Sequence, residues 1–244
     1  MERNQFDLLD WQIPHKQVII DFITFLNGRS DQYILKGGTA LMLCYNLDRF
    51  SEDIDLDSER TDLKKIAEMF CQLKGYTYRI SKDTDMVKRV YINYGNVSHP
   101  LKIEVSRRHI EPGIVKVNGI VVYDIGTLAK LKAEAFIHRD RVRDLFDLSF
   151  IWLAYREQIS AFVLNDICRT ILRKDLDVCE AIIETQDDPL INKELILSRY
   201  LEAYVSAESI SPKLSAYLKN MHPFSVYEDD CNQAEAYKST SEFN

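Results

Sequence analysis

The spacing of apolar side chains changes character along this chain. From His15 to Leu26, "HKQVIIDFITFL" repeats its apolar residues at helical spacing, and Gly28 follows as a stop. A short apolar run at Tyr33 to Leu35 predicts a buried strand feeding the pair Gly37-Gly38, after which Thr39 is placed to cap a helix over "ALMLCYNL". The segment "DIDLD" then alternates with period two. As a strand it sends Asp53 and Asp55 to one face and Ile54 and Leu56 to the core.

A helix is predicted over Asp62 to Leu73, followed by strands at "YTYRIS", "VKRVYINY" and "LKIEVS". In "GIVKVNGIVVYD", Asn118-Gly119 separates two alternating apolar runs, a strong hairpin signal. Residues 34–124 therefore read as α+β material around one sheet. From Ile125 the period becomes helical: "TLAKLKAEAFIH", "VRDLFDLSFIWLAY", "ISAFVLNDICRTIL", "LDVCEAII", "KELILSRYLEAYV" and "KLSAYLKNM". The expected division is a core over 1–124, a helical bundle over 125–226 that either stands apart or packs on the sheet, and a polar, disordered tail over 227–244.

Composition changes this picture little. At 244 residues and 46% hydrophobic, the chain can bury a substantial core, and a net charge of −7 excludes a wholesale basic wrapper for nucleic acid. Five scattered cysteines (Cys44, Cys71, Cys168, Cys179 and Cys231) with no C-x-x-C pair read as free thiols in a reducing cytosol. No window approaches the roughly 18 unbroken apolar residues of a membrane span. The expectation is a cytoplasmic protein with no membrane partner.

The chemistry concentrates in "ILKGGTALMLCYNLDRFSEDIDLDSE". Glycines at 37 and 38 let a phosphate approach the backbone, and the helix start behind them offers N–H groups to an anion. Asp53 and Asp55 supply hard oxygen ligands for divalent cations. Glu104 in "LKIEVS" shares a strand face with Lys102 and adds a third carboxylate if that strand lies beside Asp53-Ile54-Asp55. Three such groups in one pocket repel one another, and bound cations relieve the repulsion.

The order of glycine pair, short helix, D-x-D strand and later acidic strand resembles the DNA polymerase β-like nucleotidyltransferase superfamily. Within it, K-G-G-T-A-L at 36–41 with Arg49-x-Ser51-x-Asp53-Ile54-Asp55-Leu56 resembles the AbiEii/AbiGii toxin family. The block "KAEAFIHRDRVRDLFDL" matches that family's K-x(6)-R-x(3)-R-D-x-x-D pattern through Lys132, Arg139, Arg143, Asp144 and Asp147. The resemblance covers roughly residues 30–150. It implies an α+β fold, with a polymerase β-like core of mixed sheet and flanking helices followed by a helical C-terminal bundle.

By the same resemblance, Asp53, Asp55 and Glu104 are the expected metal ligands, holding magnesium, with two ions expected. Lys36, Gly37, Gly38, Thr39, Arg49, Ser51 and Lys132 are the expected nucleotide contacts. Asp53, Asp55, Glu104, Lys132 and Asp144 form the expected catalytic set, with Glu104 either completing the metal site or accepting the proton of the attacking hydroxyl. Spacing favours Lys132 over Lys130. Asp144 and Asp147 are alternatively partners that fix Arg139 and Arg143, or members of surface ion pairs.

The implied function is a toxin of a type IV toxin–antitoxin or abortive-infection pair. It transfers a nucleoside monophosphate from an NTP to an acceptor hydroxyl, with tRNA at its 3′ end as the acceptor and a cognate antitoxin as partner. A basic strip of Arg107, Arg108, Lys116, Arg139, Arg141 and Arg143 is the expected RNA contact. The alternatives are a nucleotidyltransferase acting on a small molecule or protein, and a non-catalytic nucleotide-binding protein of the same fold. Intact carboxylates at 53, 55 and 104 speak against the latter.

Overall fold

The computed structural model describes residues 8–60, 62–95, 98–107 and 109–221. Arg108, Cys231 and the tail over 227–244 lie outside the described residues. The amino-terminal helix α1 (Gln12–Asn27) runs into β1 (Ile34–Lys36), α2 (Gly37–Cys44), β2 (Asp53–Asp57) and α3 (Leu63–Lys74). A meander of β3 (Thr77–Asp83), β4 (Val87–Asn93) and β5 (Leu101–Ser106) follows, then the hairpin β6 (Ile114–Val117) and β7 (Ile120–Tyr123). Five helices complete the described chain: α4 (Ile125–His138), α5 (Val142–Tyr155), α6 (Ala161–Leu172), α7 (Leu176–Thr185) and α8 (Lys193–Met221).

The strands form one mixed sheet in the order β3-β4-β5-β2-β1-β7-β6. Strand β2 lies antiparallel to β1 and parallel to β5, and β1 is parallel to β7. The period-two reading of β2 holds: Ile54 and Leu56 are buried, while Asp53 and Asp55 stay partly open. In β5 the same alternation buries Ile103 and Val105 and leaves Lys102 and Glu104 on the open side. Asn118 and Gly119 both have positive φ, 51° and 83°, as a two-residue turn between β6 and β7 requires.

Three local expectations give way. Thr39 does not cap α2, which begins at Gly37 with Lys36 before it. The Thr39 side chain turns inward instead, where its hydroxyl donates to the Asp53 carbonyl oxygen and meets Ser51 Oγ at 2.9 Å. The helix also ends at Cys44 rather than Leu47, because Asn46 adopts the left-handed conformation, φ 57°. Near the carboxyl end, "KELILSRYLEAYV" and "KLSAYLKNM" are not separate helices. They are one 29-residue helix with Pro212 inside.

One hydrophobic core runs from α1 through the sheet to α8. Ile19, Phe22 and Ile23 of α1 share it with Trp152 of α5 and Ile196, Tyr200 and Ala203 of α8. The carboxyl-terminal helices thus pack as part of the body that carries the sheet. Helix α4 starts directly after β7, capped by Asp124, whose carboxylate accepts from Thr127 N at 2.7 Å.

Candidate active site

The adjacency of β2 and β5 brings the sequence-distant acids together. In their parallel register Asp53 stands opposite Lys102, and Asp55 opposite Glu104. These four side chains face an open cleft of about 670 Å³ that also touches Gly38, Arg49, Ser51, Lys132 and Asp144. Burial pushes the Asp55 carboxyl above its ordinary value; Lys102 opposes this, and the neighbouring Asp53 and Glu104 carboxylates add to it.

The two glycines serve different needs. Gly37 has φ +74°, a left-handed backbone that L side chains rarely adopt. Gly38 is needed for space: a Cβ there would lie 2.8 Å from both Arg49 Nη2 and Ser51 Oγ. The pair therefore lets the β1–α2 turn close tightly against the Arg49–Ser51 segment.

Behind the cleft lies a buried ionic cluster. Asp147 is 0% exposed and Arg49 4%, and the carboxylate accepts from Arg49 Nε and Nη2, each at 2.7 Å. Lys132 Nζ stands 2.6 Å from Asp147 Oδ2 and 3.2 Å from Asp144 Oδ1. Asp144 also accepts from Arg139, Nε at 2.7 Å. Burial alone would raise the Asp147 carboxyl, but Arg49 and Lys132 outweigh it and hold it below the usual carboxylate value. Asp144 does fix Arg139, whereas Asp147 holds Arg49 and not Arg143, and neither belongs to a surface ion pair. Lys130 turns away to Glu111 at 3.0 Å, so of the two α4 lysines it is Lys132 that lines the cleft.

Arg89, Asp57 and Asp188, neighbours of these residues, escaped the sequence reading, as did the pairings they and others make. Arg89 of β4 is the register partner of Glu104 and pairs with it, Nη2 to Oε2 2.5 Å. Lys102 likewise pairs with Asp53. Asp57 continues the Asp53–Asp55 face but is buried, where it binds Lys36 Nζ at 2.5 Å and accepts from the Tyr123 hydroxyl at 3.1 Å. Lys36 is therefore engaged by a carboxylate. Arg143 reaches Asp188, in the α7–α8 connection, and Glu52 at 3.3 Å. Period-two spacing did hold a signal for Arg89, which alternates with the buried Val90 and Ile92. Asp188 carries no such signal.

The expected basic strip divides. Arg139, Arg141 and Arg143 border the cleft, joined by Arg89 and Lys102. Lys116 lies on β6, four strands from β5 in the sheet, beside Asp31 at 3.2 Å. Arg107 is exposed just past β5.

Among the described residues no three His, Cys, Asp or Glu side chains converge as a ready cation cage. Asp53 and Glu104 lean instead on Lys102 and Arg89. The donor set still suits a hard divalent ion, since three carboxylates offer oxygen ligands and their present partners are partly exposed cations that can swing aside.

No curated protein matches this chain. Among solved structures, JHP933 of Helicobacter pylori is similar over 89% of this chain and 99% of its own, with TM-score 0.75 and 26% identity. A second H. pylori structure gives 0.73 and 27%, over 86% and 99%. MenT4, a nucleotidyltransferase toxin of Mycobacterium tuberculosis, shares the fold at TM-score 0.52 and 12% identity, over 85% and 87%. The family model described as nucleotidyl transferase AbiEii toxin, type IV toxin–antitoxin system, matches residues 25–220, which takes the likeness past the motif blocks into α8. With Gly38, the acidic strands and Lys132 gathered in one cleft and that match spanning most of the chain, this protein belongs to the AbiEii toxin family and is a nucleotidyltransferase.

Proposed function

We propose that the protein is a magnesium-dependent toxin that transfers a nucleoside monophosphate from an NTP to a hydroxyl at the 3′ end of tRNA, held in check by a cognate antitoxin. One observation carries this reading: Asp53, Asp55 and Glu104 face a cleft that also presents Gly38, Arg49, Ser51 and Lys132. Carboxylates for metal and cations for phosphate thus border the same space.

Asp53 and Asp55 are the residues to hold magnesium, which when bound neutralises phosphate charge and steadies the oxygens of an in-line displacement. Gly38, at the start of α2, admits the phosphates to the helix N-terminus. Ser51 offers a hydroxyl to the same phosphates. Lys132 stands ready to balance charge growing on the leaving pyrophosphate, with its ammonium positioned by Asp144 and Asp147. Glu104, once released by Arg89, accepts the proton of the attacking hydroxyl. Arg139, Arg141 and Arg143 at the cleft mouth supply cations for a polyanionic acceptor.

The test incubates the protein with each labelled NTP, magnesium and total RNA, beside Asp53→Asn and Lys132→Met. Label is expected on tRNA with the unmodified protein and lost with both variants. Label on protein or on a small molecule, with RNA unlabelled, would reject the RNA acceptor while keeping the enzyme class. Expression in a bacterial host should arrest growth, and Asp55→Asn should relieve it.

A further inference from the structure

Two clefts meet at the same carboxylates. Beside the cation-rich one lies a second, of about 490 Å³, walled on α4 by Leu128, Leu131, Ala135 and His138. Asp55, Glu104, Lys132 and Arg139 border both. The glycine pair divides between them: Gly38 lines the first and Gly37 the second.

Their chemistry differs. The first cleft has Arg49, Arg89, Lys102, Arg141 and Arg143 to itself; four of these are paired with carboxylates, as Lys36 is, but their number suits a triphosphate, with Arg141 and Arg143 left for the acceptor's backbone phosphates. The second adds only Lys36 from the lysines and arginines, and that ammonium is held by Asp57 at 2.5 Å. Its α4 wall is a stripe at spacings of three and four residues, so Leu128, Leu131, Ala135 and His138 share one helical face. Glu134, on the same helix, adds a third carboxylate beside that stripe, so the cleft pairs an apolar strip with acids, which suits a flat, uncharged, hydroxyl-bearing group rather than another phosphate. The volume falls within the roughly 300–1,000 Å³ range of small-molecule sites.

Displacement at phosphorus places the attacking and leaving oxygens in line, on opposite sides of the transferred group. With the triphosphate among the cations, pyrophosphate departs on that side. The attacking hydroxyl then arrives from the other side of Asp55 and Glu104, which is where the second cleft lies. We propose that this second cleft receives the terminal nucleoside of the acceptor RNA, its base against Leu128, Leu131 and Ala135 and its ribose hydroxyl toward Glu104.

The inference rests on the nucleotidyltransfer to RNA proposed above. In that step the ribose oxygen bonds to the α-phosphorus as the bond from that phosphorus to the bridging oxygen breaks. Pyrophosphate keeps the electron pair, and the hydroxyl proton passes to a Glu104 carboxylate oxygen.

Steady-state transfer onto tRNA is measured with the full chain and with Ala135→Phe, which fills the cleft, and His138→Ala, which alters its exposed rim. Ala135→Phe should raise the acceptor KM about tenfold, and His138→Ala by a smaller factor, while the NTP KM stays within about twofold. A rise in NTP KM with acceptor KM unchanged would assign the cleft to the donor nucleoside and overturn the proposal. Should Ala135→Phe fail to fold, photocrosslinking of unmodified protein to tRNA carrying 4-thiouridine at its 3′ terminus decides. Crosslinks within α4 support the proposal, and crosslinks confined to other elements overturn it. Transfer by unmodified protein with no effect on the acceptor KM rejects this site alone; no transfer to RNA by unmodified protein rejects both readings.

Discussion

Arg49 and Asp147, 98 residues apart in the chain, form a two-pronged ion pair inside the protein, each prong 2.7 Å long. The same carboxylate takes Lys132 Nζ at 2.6 Å. One anion thus ties the segment before β2 to both α4 and α5. Replacing it removes the compensation for two cations that have little access to water, and a broken buried pair costs about 3–5 kcal/mol. Asp147→Ala should therefore lower unfolding stability by that order, measured by urea denaturation, although Asp147 does not itself line the cleft. A loss below about 1 kcal/mol would mean that water or a rearranged Asp144 replaces it.

The glycines separate a conformational cost from a steric one. Gly37→Ala forces a side chain onto a backbone with φ +74° and should cost about 1–2 kcal/mol of stability. Gly38→Ala drives a Cβ to within 2.8 Å of Arg49 Nη2 and Ser51 Oγ, so those two groups must shift. Its activity should fall more than its stability, read as kcat/KM for NTP beside a denaturation curve. Equal effects of both substitutions on both readouts would refute the distinction.

The contrast between these residues shows what was legible in the sequence. Period two in "DIDLD" and "LKIEVS" assigned faces correctly, since alternation is local and each strand must bury one side. The same logic found the hairpin, and helical periodicity found the bounds of α5. Partners across space were another matter. Asp57 shares the face of Asp53 and Asp55, yet Lys36 and Tyr123 draw it into the interior, which depends on how β1 and β7 flank β2. Arg89 meets Glu104 only through the register of β4 on β5. The stretches "KELILSRYLEAYV" and "KLSAYLKNM" read as two helices, whereas α8 runs through both with Pro212 inside.

His15 gives the fold a pH dependence. Its ring is buried on α1, with Nε2 2.7 Å from the Glu52 carbonyl oxygen and Nδ1 2.5 Å from the Tyr94 hydroxyl. A carbonyl only accepts, so Nε2 carries the proton and Nδ1 accepts from Tyr94 in the neutral ring. Burial lowers its pKa below 6.5, outweighing the pull of Glu52. The unfolded chain therefore binds the proton more readily, and stability present above pH 6.5 is lost as pH falls below it. Asp147 and Asp188 are also depressed, but their contribution is lost only as pH falls below 3.8. As pH falls below 6.5 the protein should lose stability through His15, and His15→Gln should flatten that slope. An unchanged slope in the variant would place the dependence on other groups.

At the proposed metal site, Lys102 and a divalent ion would compete for the Asp53 carboxylate. In the protein alone, Lys102 answers the charge of Asp53, and Asp55 and Glu104 stand close enough to raise its pKa further although burial opposes them. Lys102→Met keeps most of the apolar stem and removes the charge, so the carboxylates lose a compensating cation. The variant should melt lower than the parent without metal and gain more on adding magnesium, because a ligand stabilises the fold in proportion to its affinity for it. Asp53→Asn should show little magnesium-dependent gain and lose activity by about 10³-fold, the equivalent of several kcal/mol of charge stabilisation. Thermal unfolding with and without magnesium reads the first effect, and labelled-NTP transfer the second. Equal magnesium-dependent shifts in the parent and Lys102→Met would show that the lysine does not guard the metal ligands.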